Sequence, residues 1–317
     1  MSRKTISKLI MAALQAVPGT AATLAAKDAV AVSEATVDYV YQNVDRNLLK
    51  PYMGNGGTLT GTRHVKIDFT CELFGSGTPG TAPAWGRLLR GCTFAEVVTA
   101  TMVEYLPQTD GHEMLTIDYV LAGVRHRATD ARGTVSFALD ADAKPVMKFS
   151  FLGDDAGPVV QPSTQTDFSD WKMPEVVTRA NTQILKLGGT YAAGAVTGGT
   201  GYCSRGLTLD LASELKYKSM VGCGGAEVSN RKPKGSVKLE LSAAQEVAML
   251  AEINANTPVS MSMLHGTAPG KQVLFYMPRV VRSNPKVGED YEGTVLMGMD
   301  VMPEPVLGND ELRIVAL

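Results

Sequence analysis

The residues of this chain that could do chemistry are scattered and lack the spacing that chemistry needs. No histidine stands in an H-E-x-x-H pattern or beside a cysteine, and no two cysteines form a C-x-x-C pair. Zinc and redox sites use such spacings, so we expect neither a metal nor a cofactor. The cysteines are interpreted as small apolar residues in a reducing compartment. The residues concerned are His64, His112, His126, His265, Cys71, Cys92, Cys203 and Cys223.

Nucleophilic catalysis is not indicated either. No serine has the G-x-S-x-G surroundings of a nucleophile elbow, and GYCSRG at 201–206 has the wrong spacing. The adjacent acids Asp154-Asp155 and Glu289-Asp290 lie in turn-like contexts, where solvated carboxylates are usual. The sequence therefore predicts no catalytic residues and a protein that is not an enzyme.

One glycine-rich stretch, GSGTPG at 75–80, matches the G-x-G-x-x-G pattern of dinucleotide-binding loops. Such a loop follows a strand that is buried on both faces, whereas the preceding segment carries Lys66 and Asp68 on one side. Pro79 also removes an amide that could hold phosphate. We interpret the stretch as a flexible connection. A nucleotide-binding enzyme, with Glu96 as its ribose acid, stays as an alternative.

The overall charge does not favour a protein that grips nucleic acid. The net charge is −2 and aromatic residues make up 6% of the 317 residues, whereas such proteins usually show a basic surplus and stacking aromatics. The basic run NRKPKG at 230–235 is short. It could touch phosphate, but we interpret it as a hairpin flank that faces water or a neighbouring subunit.

The elements that must position these residues are mostly strands. Apolar and polar residues alternate strictly from Val65 to Leu73, which predicts a strand with one buried face. One-sided strands are typical of antiparallel sheets. The same alternation recurs in the segments 115–121, 135–139, 147–151, 237–241, 273–277 and 295–301. DADAKP at 140–145 has the composition of a turn between two of them.

Helical signals are confined to two segments, 83–92 and 242–256, and Ser242 is the predicted N-cap of the second. The fold class is therefore mainly β, with two tandem antiparallel β-sandwich or barrel-like domains. One packed α-helix is expected in each domain.

Two stretches with the same order of parts indicate an internal repeat. NLLKPYMGNGGTLTGTRHVKIDFTCEL at 47–73 and LKYKSMVGCGGAEVSNRKPKGSVKLEL at 215–241 each carry a glycine-rich tip and close on an alternating strand. The polar, proline-bearing segment between the halves suits a linker. The predicted division is an N-terminal arm (1–37), a first domain (38–153), a linker (154–174), a second domain (175–302) and a C-terminal arm (303–317).

The N-terminus allows one further alternative. Basic residues followed by the apolar run 9–17 have the order of a secretory leader. With such a leader over residues 1 to about 22, the protein would be a secreted β-sandwich binding module. Gln15 and the turn-like Pro18-Gly19 favour a docking arm or short helix instead. No stretch reaches the ~18 apolar residues of a membrane span.

Taken in order, several segments resemble the major tail tube proteins of long-tailed, siphovirus-like bacteriophages. The similarity covers most of the chain. It rests on LKPYMGN at 49–55, GSGTPGTAPAWGRLLRGCTF at 75–94, ARGTVSF at 131–137, RKPKGSV at 231–237, LHGT at 264–267 and GNDELRI at 308–314.

The resemblance implies a structural virion protein, made in the bacterial cytoplasm, that self-assembles into stacked rings around a conduit for DNA ejection. Two tube domains per chain would give trimers with pseudo-sixfold symmetry. The alternative is a ring of six chains with the second half as outer decoration. Implied partners are other copies of the chain, the tape measure, tail terminator and distal tail proteins, and phage DNA that passes without specific binding.

Under that resemblance the glycine-tipped hairpins become contacts between rings or subunits. The conduit is expected to carry more Asp, Glu, Ser and Thr than Lys and Arg, because a basic bore would hold DNA through its phosphates. The expected contact residues are Met53, Gly54, Asn55, Gly56, Gly57, Val221, Gly222, Cys223, Gly224, Gly225, Arg231, Lys232 and Lys234.

Overall fold

A computed structural model describes residue 4, residues 6–161 and residues 164–317. The described part of the first half holds ten strands, the last of them within the predicted linker, and a short helix, α1 (Gly86–Arg90), lies between the fourth and fifth strands. These strands are β1 (Lys8–Gln15), β2 (Ala29–Val30), β3 (Val32–Asp45), β4 (Thr58–Glu72), β5 (Phe94–Val98), β6 (Val103–Pro107), β7 (Met114–Leu121), β8 (Val124–Asp140), β9 (Val146–Asp155) and β10 (Val159–Val160).

The second half holds ten further strands and the longer helix α2 (Ala243–Asn254). Its strands are β11 (Leu185–Ala192), β12 (Ala195–Tyr202), β13 (Ser204–Asp210), β14 (Ser213–Met220), β15 (Cys223–Arg231), β16 (Lys234–Glu240), β17 (Val259–His265), β18 (Val273–Tyr291), β19 (Thr294–Pro303) and β20 (Arg313–Ala316).

Period-two alternation correctly predicted strand segments within β4, β7, β8, β9, β16, β18 and β19, and it did not predict the other strands. In β4, Val65 and Ile67 are fully buried and Phe69 nearly so, while Lys66 and Asp68 between them keep part of their surface in water. The ladders recorded between the strands are antiparallel. The predicted fold class, a mainly β antiparallel sandwich, is confirmed.

Both predicted helices are present, and their lengths differ from the sequence expectation. At α2 the Ser242 side chain accepts a hydrogen bond from the Gln245 amide, which confirms the predicted N-cap. Helix α1 is limited to Gly86–Arg90 instead of the predicted 83–92. Pro83 leaves only a turn before it, and the chain leaves helical geometry at Thr93, whose φ is 67°.

The strands of the two halves pair in the same order. In the first half the order is β3–β4–β9–β8–β7–β1. In the second half it is β13–β16–β19–β18–β17–β11. The repeat inferred from two hairpins therefore extends to the pairing order of the sheet.

An irregularity in the register fixes the residue correspondence between the halves. β3 and β4 shift register between Val32 and Glu34, and β13 and β16 shift between Ser204 and Gly206. In this match Ala35 of the first half is equivalent to Leu207 of the second half, and both residues are buried. Along the same ladder Asp38 corresponds to Asp210.

The predicted N-terminal arm contributes strands to the sheet. Residues 8–15 form β1, which pairs along its length with β7, and Ile10 and Ala12 are fully buried. Apolar spacing in a short segment does not distinguish an arm from an edge strand, and the packing partner decides. Residues 1–3 and 5 of the predicted arm lie outside the described part of the chain.

The predicted linker and C-terminal arm also make contacts of their own. The linker's Trp171 donates from Nε1 to the Ala29 carbonyl (2.9 Å) and packs edge-on against Phe74. At the C-terminus β20 pairs with both β18 and β6 and so ties the two halves together. Residues 162 and 163 of the linker are not described.

Candidate assembly interface

The halves are joined within the chain by direct strand pairing. The last residues of β8 pair with β13, with Phe137 opposite Leu209 and Ser136 opposite Asp210. Phe137 and Leu209 are buried, and the Leu211 amide donates to the Val135 carbonyl at 3.0 Å. This intrachain seam makes one continuous sheet in the order β3–β4–β9–β8–β13–β16–β19–β18.

The two ends of that continuous sheet are strand edges without a ladder. Among the described residues β3 pairs only with β4, although its counterpart β13 pairs on both sides. Residues 282–291 of β18 likewise pair only with β19, whereas the corresponding end of β8 also pairs with β13. The open edge at β3 thus corresponds to the β13 side of the intrachain seam, and the open edge at β18 corresponds to the β8 side.

One face of the continuous sheet is mostly polar, with Leu152, Val146, Ala138 and Leu296 as its apolar interruptions. Residues that are directly opposite across successive ladders share this face, and its carboxylates outnumber its basic side chains. The acids are Glu34, Asp38, Asp68, Glu72, Asp140, Asp210, Glu240, Glu289 and Asp300. The basic residues are Lys66, Arg132, Lys148, Lys234, Lys238 and Lys286, and the hydroxyl residues are Thr36, Thr70, Thr134, Ser136, Ser150, Thr208, Ser236 and Ser283.

The first predicted contact tip, Met53 to Gly57, lies in the loop 46–57 between β3 and β4. Met53 and Leu49 are fully exposed, and Tyr52 is 67% exposed. Gly54 has a φ of 147°, a conformation that L side chains rarely adopt. The loop therefore presents apolar side chains to solvent on a backbone shaped by glycine.

The second predicted tip is a tight turn. Only Val221 and Gly222 separate β14 from β15, and Val221 is fully exposed. Cys223 and Gly224 are exposed too, whereas Gly225 is buried. The two tips that the sequence treated as equivalent thus differ in length and in apolar surface.

The β14–β15 hairpin lies across the first half. The Tyr217 ring stacks on His64 with centroids 4.4 Å apart, and its hydroxyl donates to Asp154 at 2.7 Å. Desolvation, and then the bond to Asp154, raises the pKa of Tyr217 to about 12. Arg132 donates to the Ala226 carbonyl from beneath the hairpin. The hairpin is held by its own chain along one side.

The three basic residues predicted as contacts differ in their surroundings. The Arg231 guanidinium is engaged within the chain, where it pairs with Glu311 and donates to the Gln108 carbonyl (2.8 Å). Lys232 is mostly exposed and lies 3.8 Å from Glu214. Lys234 lies on the polar face, opposite Asp210 in the ladder. Arg231 is thus brought into an internal cluster that sequence reasoning missed.

The stretch 75–80 is a packing loop between the halves. The Gly77 amide donates to the Gly270 carbonyl at 2.7 Å. A Cβ on Gly75 would lie 2.2 Å from that same carbonyl oxygen. The glycines therefore permit a close backbone approach, and an amide that a phosphate would need is already used.

The histidines occupy separate surroundings. His265 is buried and lies between the Glu175 carbonyl (Nε2, 3.0 Å) and Thr182 (Nδ1, 2.9 Å). Burial lowers its pKa below the ordinary value, and the same cause lowers that of His64. Cys71 and Cys92 are buried, whereas Cys203 and Cys223 are exposed. Across the described ranges, no three His, Cys, Asp or Glu residues are grouped so that they could hold a metal ion.

A sheet that runs from one half of a chain into the other and ends at two complementary open edges defines a protein that can associate by strand pairing. The family model of the phage tail tube proteins matches residues 7–295, and the chain belongs to that family. The family is one of structural tail components of bacteriophage virions and is not an enzyme family. No curated protein matches the chain significantly. Within the described residues, no helix is long and apolar enough to span a bilayer.

Proposed function

We propose that three copies of the chain close into a ring with pseudo-sixfold symmetry, and that these rings stack into the tail tube through which DNA leaves the capsid. The intrachain seam between β8 and β13 carries this proposal. This seam is one example of how the first half of a chain pairs with a second half through adjacent strands. Repeating that junction from β18 of one chain to β3 of the next would leave no open edge.

The proposed units are the two tail-tube domains, residues 38–153 and 175–302, connected through 154–174. Matching strand order supports treating both halves as positions of one ring rather than treating the second as outer decoration. The second half continues the same sheet as the first. A decorating domain has no need of that shared sheet.

In this assembly the polar face of the sheet lines the conduit. Its excess of carboxylates and hydroxyls over Lys and Arg supports free passage, because DNA phosphates then find few cations to bind. DNA is a passing cargo here, without sequence-specific contacts. No cofactor takes part.

Contacts between rings are assigned to the loop 46–57, to the tip at 221–225 and to the two chain ends. The exposed Leu49 and Met53 would lose their contact with water on stacking, which favours association. At the two ends of the tube the same surfaces would meet the tail terminator and distal tail proteins, and the tape measure would occupy the lumen.

Electron microscopy of concentrated purified protein, averaged for symmetry and combined with mass measurement of the rings, tests this function. Stacked rings with three chains and six similar lobes are expected. Rings of six chains with the second halves outside would overturn the pseudo-sixfold arrangement while keeping the tube. A protein that forms no ring, either purified or in tails isolated from virions, would overturn the function itself.

A further inference from the structure

The two halves of the sheet allow the contact between neighbouring chains to be read at the level of single residues. Ser136 of β8 lies opposite Lys148 of β9, and Lys286 of β18 lies opposite Gly298 of β19. In each half, the chain of directly opposite residues can be followed across the sheet to the register shift described above. This comparison makes Lys286 of the second half equivalent to Ser136 of the first half. By the register shift described above, Asp38 occupies the place of Asp210.

From this correspondence we propose that Asp38 of one chain and Lys286 of the next form the ion pair that specifies the interchain seam. Within the chain the corresponding residues, Asp210 and Ser136, lie directly opposite each other. The proposal rests on the ring of the proposed function and adds the register, the partner residues and the source of specificity.

The geometry of the ladder favours a close side-chain contact at this pair. The Leu211 amide donates to the Val135 carbonyl in the intrachain seam, so the next pair, Asp210 and Ser136, is a non-hydrogen-bonded pair. In antiparallel sheets such pairs bring side chains closest together. Asp38 and Lys286 would share that arrangement.

The charges at the two edges are complementary and available. Within the described residues neither Asp38 nor Lys286 has an ion-pair partner, and both are exposed. Asp38 lies opposite Lys66 in its own ladder, but Lys66 pairs with Asp68 at 2.8 Å. In the assembled seam Asp38 would lie between two lysines, which places a carboxylate where opposite charge is concentrated.

An apolar pair next to these residues supports the same register. Val287 is 49% exposed and Val37 is half-buried. Their counterparts, Phe137 and Leu209, are both buried opposite each other in the intrachain seam. A seam in this register would cover Val287 with Val37 and place the ion pair beside them. A shift by one residue would put Val37 on the opposite face from Val287.

Charge reversal tests the pair. Asp38→Lys and Lys286→Asp each create a like-charge contact and are expected to abolish ring formation at low salt, whereas the double variant Asp38→Lys/Lys286→Asp restores it. Asp110→Lys, the same change at an exposed loop residue, is the control and should assemble normally. Thermal unfolding of each monomer checks that the variants fold.

Mixing the two single variants tests the number of chains per ring independently of the ion pair. Like charges meet only where two copies of the same variant are neighbours, so the mixture can close rings with an even number of chains and cannot close a ring of three. We expect no rings from the mixture. Rings from the mixture would uphold the ion pair and overturn the three-chain ring.

Oxidative cross-linking provides a second measurement that needs only transient contact. With Cys203 and Cys223 replaced by serine, Asp38→Cys/Lys286→Cys chains should form covalent multimers that end at three chains. Ser136→Cys/Asp210→Cys chains, the intrachain equivalent, should oxidise and remain single chains. Where the wild type forms rings of three, the proposed pair is wrong and the function stands if only this intrachain equivalent oxidises, or if the charge-reversed double variant fails to assemble.

Discussion

Arg231 is a predicted intersubunit contact whose side chain forms its bonds within its own chain. It was predicted to face a neighbouring subunit, yet its guanidinium pairs with Glu311, and both side chains are largely buried. Buried ion pairs contribute to stability mainly because loss of one partner leaves the other charge uncompensated. The Arg231 guanidinium is thus already engaged within its own chain.

Arg231→Ala is therefore expected to lower the free energy of unfolding of the monomer by about 3–5 kcal/mol. Urea denaturation of the purified chain measures this change. Lys232→Ala, at the adjacent exposed lysine, is the control and should change it by less than ~0.5 kcal/mol. Equal small effects would mean that Arg231 is not committed within the chain and is free to serve a neighbour.

His265 makes the stability of the chain depend on pH. A carbonyl only accepts, so Nε2 carries the proton and donates to Glu175, and the neutral Nδ1 accepts from Thr182. Burial lowers the pKa of His265 below the ordinary 6.5. The unfolded chain then binds more protons than the folded chain just below pH 6.5, so stability is complete above that pH and is lost as pH falls.

His265→Gln is expected to flatten the decrease in unfolding free energy between about pH 7.5 and 5.5, measured by urea titration at several pH values. His64, whose pKa is lowered in the same direction, should retain its own contribution in that variant. A slope that is unchanged by the substitution would contradict the role of His265.

At the scale of elements, the end of β18 differs from its counterpart in β8 in a way that suits an exposed edge. Two register shifts interrupt β18, between Ser283 and Lys286 and between Val287 and Glu289. Pro285, which has no amide to donate, lies in the first of them. Bulges, prolines and charges protect an edge from unspecific pairing. On the other edge Lys8 donates to the Ala35 carbonyl (3.2 Å).

The two hairpins should contribute unequally to stacking. Replacing both Leu49 and Met53 by serine removes apolar surface worth about 3 kcal/mol per chain if both side chains become buried between rings. We expect rings to form normally and tubes to be shorter, as measured by negative-stain microscopy. Val221→Ser, the matched change at the tight turn, should shorten tubes less, and the reverse order would assign stacking to the second hairpin.

At the scale of the whole molecule, the halves share one hydrophobic core. Buried residues of both halves belong to a single cluster, in which Phe137 of the first half and Phe275 of the second pack edge to face with centroids 5.2 Å apart. The shared sheet and the β6–β20 ladder cross the same boundary. The halves are repeats in topology and one unit in packing.

We therefore expect the monomer to unfold in a single thermal transition, with calorimetric and van't Hoff enthalpies that agree within error. Differential scanning calorimetry of dilute, unassembled protein measures both quantities. Two resolved transitions would contradict a shared core and indicate that each half is stable by itself.

The sequence by itself determined the regularly alternating strands and which of their faces is buried. Alternation in β4, in β9 and in β19 follows from one apolar and one polar side, and it could be read without coordinates. The helix cap at Ser242 and the repeated hairpin could also be predicted from the sequence. The family resemblance then indicated a structural tail component.

Only the tertiary structure decided which strands are neighbours. Backbone groups pair in the same way whatever the side chains are, so alternation sets the face of a strand and leaves its partners open. The junction of β8 with β13, the internal use of Arg231 and the unequal hairpin tips all depend on contacts between residues far apart in the chain. The open edges of β3 and β18, with Asp38 and Lys286 on them, became visible only when that sheet was complete.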